Sequence, residues 1–348
     1  MTRVKFGRSL PTVLLDTNIW NYFAGHSSAK ALRTAAEVGA VSVIVAPSTL
    51  YEALRVKSPA DRAARAKLIT DPGWKRLMPE AYSESQELLA EVRRCHPEWL
   101  AKKGDRHYTH DRQFTQMLRH DWRRTKRGFW NRVRQNPDLE AKRIAELGGE
   151  RLEKARAEAR ESRKHMEGQN WNWQEIPFNE VRTVLDPRAP GYNGGPVHPW
   201  RVSAWQAMST ALSIPKHAYR QWLDGELDVW AAMRDRAAWL RFWFDEVKED
   251  RMPRAWLRWA YTYMQMFLKV TAGTPGDAQL GTYLPEADFV VSADRNFIRM
   301  TDMLRPYSPC RVALTKLVKG DAEGVDEVIT FLKSFKNSGV KHLSTGKM

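Results

Sequence analysis

The sequence predicts an α/β protein whose parallel sheet, flanked by helices, is split by a large and mostly helical insertion. Short β-branched runs, each followed by helical periodicity, occur near both ends of the 348-residue chain. Strand-then-helix order at each end favours parallel pairing with helices on both faces. Between Glu52 and Asp277 the pattern is instead a series of helical periods broken by Pro and Gly, with no comparable strand signal.

Thr12 to Leu15 reads as a short buried strand, and Asp16-Thr17-Asn18 as its turn into a helix. Val41 to Ala46 is a second strand, ended by Pro47, with Ser48 placed to cap a helix carrying Tyr51, Glu52 and Leu54. Leu139 to Met166, rich in Ala, Glu, Arg and Lys, reads as an extended, solvated helix weakened at Gly148 and Gly149. Gln169 to Pro199 contains Pro187, Pro190, Gly191, Gly194, Gly195 and Pro196 and reads as an irregular connection. Thr274 and Pro275 mark the start of a helix through Asp277, Ala278, Leu280 and Gly281. Asp288 to Ser292 is then a strand, Asn296 to Leu304 a helix, Arg311 to Leu314 a strand and Val325 to Phe335 a closing amphipathic helix. The domains implied are a discontinuous α/β unit, 1–70 with 271–348, and an insertion, 71–270, divided near 169–199.

A surplus of 56 Lys and Arg over 41 Asp and Glu gives a net charge of +15, so the mean surface field attracts polyanions. Cys95 and Cys310 stand alone, in no zinc or disulfide spacing, which fits a reducing cytoplasm. The apolar stretch at Val13 to Leu15 is too short for an export signal, and no segment reaches the roughly 20 apolar residues of a membrane span. No phosphate-binding P-loop, dinucleotide glycine fingerprint or nucleophile elbow is present, so ATP-driven and serine-hydrolase chemistry are unsupported.

Asp16 and Asp294 each follow a strand, the position where an open parallel sheet gathers ligands. Asp277 starts a helix and Glu52 lies in the first turns of another. Each acid alone has a plain alternative, as a helix cap or as a complement to the helix dipole. Gathered in one crevice, however, several carboxylates repel each other and require divalent cations or protons. Mg²⁺ or Mn²⁺ suits an all-oxygen donor set, bridges phosphate oxygens and activates water for attack on a phosphodiester.

Four stretches together resemble the PIN-domain nucleases: Val13-Leu14-Leu15-Asp16-Thr17-Asn18, Ser48-Thr49-Leu50-Tyr51-Glu52, Gly276-Asp277-Ala278-Gln279-Leu280-Gly281, and Phe289-Val290-Val291-Ser292-Ala293-Asp294-Arg295-Asn296-Phe297. The resemblance implies a PIN-like sheet, an acidic metal site of Asp16, Glu52, Asp277 and Asp294, and support of its geometry by Asn18 and Ser292. It also implies hydrolysis of single-stranded RNA. Asn296 stands where many relatives carry a further acid. The resemblance covers about a third of the chain; small PIN toxins join the second and third acids by a short helical hairpin, whereas well over two hundred residues intervene here.

That intervening segment holds most of the charge, 41 Lys and Arg against 29 Asp and Glu over residues 53–276. Its densest patch, Arg119, Arg123, Arg124, Lys126, Arg127, Arg132 and Arg134 with Trp122, Phe129 and Trp130, suits phosphate neutralisation and stacking of unpaired bases. Fourteen of the 15 Trp also lie there. Spacing at i, i+3 and i, i+4 marks Trp239, Trp243, Trp256 and Trp259 as core, whereas Trp171, Trp173 and Trp200 are candidates for exposed contacts. His107 and His110 belong to no metal motif and read as surface residues. The functional expectation is a metal-dependent endoribonuclease, as a toxin, defence or RNA-processing enzyme, with an inhibitory antitoxin or other protein as a further partner. A single-strand or structure-specific DNA nuclease and a non-cleaving RNA- or protein-binding scaffold are the alternatives.

Overall fold

The β-branched run ending at Asp16 forms the centre of a sheet. The structure, a computed structural model, describes residues 10–104, 108–124, 126–145, 178–183, 192, 195–267 and 276–336, with isolated positions at 157, 160, 161 and 164. Chain order is β1 (Thr12–Leu15), α1 (Thr17–His26), α2 (Ala29–Gly39), β2 (Ser42–Val45), α3 (Pro47–Leu54), α4 (Pro59–Ile69), β3 (Lys75–Arg76), α5 (Glu80–Cys95), α6 (Tyr108–Arg123) and α7 (Phe129–Gln135). There follow α8 (Pro199–Ser213), α9 (Ala218–Leu223), α10 (Val229–Arg234), α11 (Arg236–Arg241), α12 (Pro253–Gln265), α13 (Gly276–Gly281), β4 (Phe289–Ser292), α14 (Arg295–Leu304), β5 (Leu314–Leu317) and α15 (Asp321–Ser334).

All five strands are parallel, in the order β3-β2-β1-β4-β5. The chain therefore leaves β1 in one direction to reach β2 and β3, and occupies the other side with β4 and β5. This reversal makes the gap beyond the C-terminal ends of β1 and β4 a topological switch point, where such sheets leave a crevice. Register places Leu15 beside Val291, and the Asp16 amide donates to the Val291 carbonyl at 3.0 Å. The first residue after β1 is thereby tied to the neighbouring strand.

Strand alternation sorts side chains onto two faces. Val13, Leu15, Val43, Val45 and Val291 pack against α1, α2, α4, α7 and α15, through Trp20, Phe23, Leu32, Ile69, Trp130 and Leu332. Leu14, Ile44 and Val290 face the other way, into a core with Leu88, Trp200, Trp243, Trp256, Tyr261 and Phe297. The tryptophan-rich segment is thus the second cover of the sheet, in one continuous core with it. Phe178 and Val197, within the irregular connection, are buried in that same core; most of 169–199, and of the extended helix of Leu139 to Met166, lies outside the described residues.

Several sequence expectations require correction. β3 lies within the segment read as strand-free: it has two residues, Lys75 and Arg76, and exists only by pairing with β2. β5 falls at Leu314–Leu317, beyond the expected Arg311 to Leu314. Its Val312 and Ala313 are buried before the ladder starts. Pro47, ideal for a first helical position, moves the start of α3 back, so the cap is Ala46 and Ser48 is buried inside the first turn. Among the described residues no helix is long and apolar enough to cross a membrane.

Candidate active site

Asp16 caps α1, as its plain structural reading requires, but it does so with one oxygen. Oδ1 accepts from the Thr17 amide at 2.5 Å, while Oδ2 accepts from Asn18 Nδ2 at 2.7 Å and from Ser292 Oγ at 2.6 Å. Asn18 also donates to Ser292 Oγ at 3.1 Å, and its Oδ1 accepts from the Ala293 amide at 3.2 Å. Ser292, fully buried at the end of β4, accepts in addition from the Asp294 amide at 2.9 Å. A closed network thus fixes the Asp16 carboxylate between the ends of the two central strands.

Asp294 caps α14 in the same manner. Its Oδ1 takes both the Asn296 amide, 2.7 Å, and the Phe297 amide, 3.1 Å. Asn296 is exposed and supplies a backbone donor to this cap. Asp277 lies in the first turn of α13, and its Oδ2 accepts from Gln265 Nε2 at 3.4 Å. The expected cap Thr274 and first-turn Pro275 lie outside the described residues. Glu52 occupies the last turn of α3 and reaches α13, since a Cβ built on Gly276 would collide with its Oε1. The bare Cα of Gly276 leaves the room that this position of the Glu52 carboxylate needs.

The acids share one electrostatic environment. Burial and the negative charges of Glu52 and Asp294 raise Asp16 from 3.8 to about 7, although the Ser292 hydroxyl and Thr17 amide act the other way. Asp277 is raised from 3.8 to about 8, by burial and then by Asp16, Asp294 and Glu52. Nearby cations would lower these values, and none is among the causes of either shift. Carboxylates from four chain segments therefore share one field, in which each raises the proton affinity of its neighbours. Among the described residues no group of three or more His, Cys, Asp or Glu stands at joint ion-holding distance, so the gathering is at electrostatic range. In kind, an all-carboxylate donor set fits a hard divalent cation.

Compared with protein families, with curated proteins and with solved structures, the chain matches none.

Two contributors escaped the sequence reading. Gln265 is buried and polar at the end of α12, where Leu257, Tyr261 and Gln265 recur at helical spacing. A glutamine in the third place of an apolar stripe is a usable signal. Tyr22, on α1, has its phenol raised by burial and then by the charges of Asp321, Asp16 and Asp294; no pattern in the sequence marks it.

The basic patch divides. Arg119, Arg123, Arg124, Lys126 and Arg127 are exposed. Arg132 is committed to Asp121 through two bonds of 2.7 Å, and Arg134 donates to the Lys67 carbonyl at 2.9 Å. Trp130 cannot stack a base as expected, because it is fully buried against the sheet. Trp200, read as an exposed contact, is likewise buried in the second core. His110 is exposed, whereas Trp171, Trp173 and His107 lie outside the described residues.

Proposed function

We propose that this chain is a metal-dependent nuclease of the PIN type that hydrolyses RNA. The observation carrying the proposal is the mutual charge of Asp16, Glu52, Asp277 and Asp294 at the switch point of the sheet, with Asp16 and Asp277 raised to about 7 and about 8. Such a site stores unfavourable charge repulsion that a divalent cation relieves.

Asp16, Glu52, Asp277 and Asp294 would hold the ion by closing around it from the wider spacing they have here. A bound Mg²⁺ or Mn²⁺ supplies a lowered water pKa and stabilises charge on the leaving oxygen. The chain's own work is positional. Asn18 and Ser292 hold the Asp16 carboxylate in one orientation, Gln265 does the same for Asp277, and the helix caps spend only one oxygen of Asp16 and of Asp294. Exposed Arg119, Arg123, Arg124, Lys126 and Arg127 supply the field that draws a polyanion.

The test incubates wild type and Asp16→Asn with labelled RNA and DNA pools in Mg²⁺, Mn²⁺ or EDTA and maps the ends. Expected is RNA cutting that EDTA abolishes and that the substitution lowers by at least about a hundredfold. Cutting that survives both removes the mechanism. Preference for deoxy strands moves the proposal to DNA, and tight binding with no cutting in Mn²⁺ favours a scaffold.

A further inference from the structure

At the β3 edge of the sheet a cavity of about 420 Å³ opens between the strand and the end of α6. Trp74, Arg76, Tyr82, Trp122, Arg123 and Tyr283 line it. Its guanidinium groups are unequally satisfied. Arg76 Nη2 donates to the Thr70 carbonyl at 2.9 Å, while its Nε and Nη1 are buried with no hydrogen-bond partner. Asp71, five residues before it, is engaged by Arg33 at 3.5 Å and by the Gly73 amide at 2.9 Å. Glu286, the acid in the lining, is paired with Arg254. Buried donors without acceptors are costly, and a charged donor more so. Asp71 acts on Arg76 only through the field, and two of the guanidinium nitrogens of Arg76 are left without an acceptor.

Its walls are aromatic and held in place. Trp122 packs on Phe129 with ring centroids 4.2 Å apart, and Tyr82 lies edge-on to Trp222 at 5.0 Å with the Arg119 guanidinium 5.4 Å from its centroid. Arg76 itself lies over Trp130, 5.5 Å from the ring. The fully buried Trp130 thus serves as a platform for the arginine. An aromatic row also connects this place to the acids: Tyr51, beside Glu52, meets Phe129 at 6.4 Å, and Phe129 meets Trp122.

We propose that the cavity is a nucleotide subsite, which takes one unpaired base against Trp122 and Tyr82 with its phosphate on Arg76 and Arg123. Aromatic faces accept any base, and guanidinium groups pair with phosphate oxygens in a fork. The proposal deepens the nuclease reading and rests on it for the source of the strand. Two sources share this chemistry, a nucleotide within a bound strand and a free nucleoside monophosphate.

The experiment measures, in EDTA, anisotropy of an end-labelled single-stranded RNA of about ten nucleotides, a length that can span one binding groove. Full-length wild type, Arg76→Met and Arg123→Ala are compared, with far-UV circular dichroism as the folding control. Arg76→Met keeps an apolar stem on Trp130 and removes the donors. Each substitution is expected to weaken binding about tenfold. Adenosine monophosphate is titrated separately against tryptophan fluorescence. Quenching lost in the variants extends the subsite to free nucleotides, and no quenching with arginine-dependent RNA binding confines it to strands. Unchanged RNA affinity and unchanged response to the monophosphate in folded variants overturn the subsite; should Arg76→Met unfold, the exposed Arg123→Ala decides alone. RNA cutting that needs Asp16 while affinity ignores both arginines leaves the nuclease without the subsite. Arginine-dependent binding by a protein that cuts nothing in Mn²⁺ leaves the subsite without the nuclease.

Discussion

Asp277 shows how a single carboxylate ties folding to the charge of the cluster. Its ordinary value is 3.8 and its value in the folded chain about 8, chiefly through burial and then through Asp16, Asp294 and Glu52. The folded state thus binds this proton more tightly than the unfolded state, and Asp16, raised to about 7, behaves alike. The stability contributed by the protonated forms is whole below the ordinary value and is lost as pH rises through about 7 and about 8. In EDTA the urea midpoint of wild type should fall between about pH 5 and pH 8.5, and Asp277→Asn should flatten that fall. Mn²⁺ should restore the wild type at the alkaline end and leave the variant much less affected. Glu87, also raised to about 7 by burial, adds the same slope to both proteins, so their difference isolates Asp277. Equal slopes in the two would mean that the Asp277 carboxyl is not raised in the folded chain. Of this site the carboxylates were legible in the sequence, since strand-end position and motif order mark them. Gln265 was harder, because an amide matters only once a tertiary contact is known.

At the level of the elements, two glycines of α13 separate site geometry from packing. A Cβ at Gly276 meets the far end of the Glu52 side chain, which can swing away, whereas one at Gly281 meets the Tyr261 ring. That ring is fixed, since its hydroxyl bonds Thr301 at 2.5 Å and its face stacks on Phe297 at 5.7 Å. Gly276→Ala should therefore displace Glu52 and lower cutting about tenfold or more while leaving thermal stability nearly unchanged. Gly281→Ala should cost about 1–3 kcal/mol of stability by overpacking. Thermal melts with cleavage rates check both, and a Gly276→Ala protein with full activity would show that Glu52 need not approach α13. The strands teach a related lesson about legibility. β1, β2 and β4 are buried in their β-branched residues and were readable, whereas β5 carries Thr315 and Lys316 at a partly exposed edge and was displaced by the apolar pair before it. β3 consists of Lys75 and Arg76, and two charged residues carry no strand signal apart from the partner that pairs them.

For the whole molecule the decisive fact is that one face of the sheet shares its core with the long basic segment as well as with α14. Leu14, Ile44 and Val290 are fully buried among Trp243, Trp256, Leu257 and Tyr261, residues of the long basic segment. Helical spacing revealed which residues of that segment are apolar. It could not reveal that their partner is the sheet, because periodicity marks a buried face without identifying what covers it. The same segment supplies Gln265 to Asp277 and Trp130 to the opposite face. Replacing residues 71–270 by a Gly/Ser linker should therefore remove most of the aromatic cover of one face, bare strand side chains to water and withdraw a hydrogen bond from the acid site. The shortened chain is expected to bind a hydrophobic dye, to unfold without a sharp transition and to cut no RNA. In the intact protein, tryptophan fluorescence, 14 of whose 15 sources lie in residues 53–276, should change at the same urea concentration as far-UV circular dichroism. Two separated transitions, or a shortened chain that melts cooperatively, would instead mean that the sheet folds independently and that the basic segment is an appendage to it.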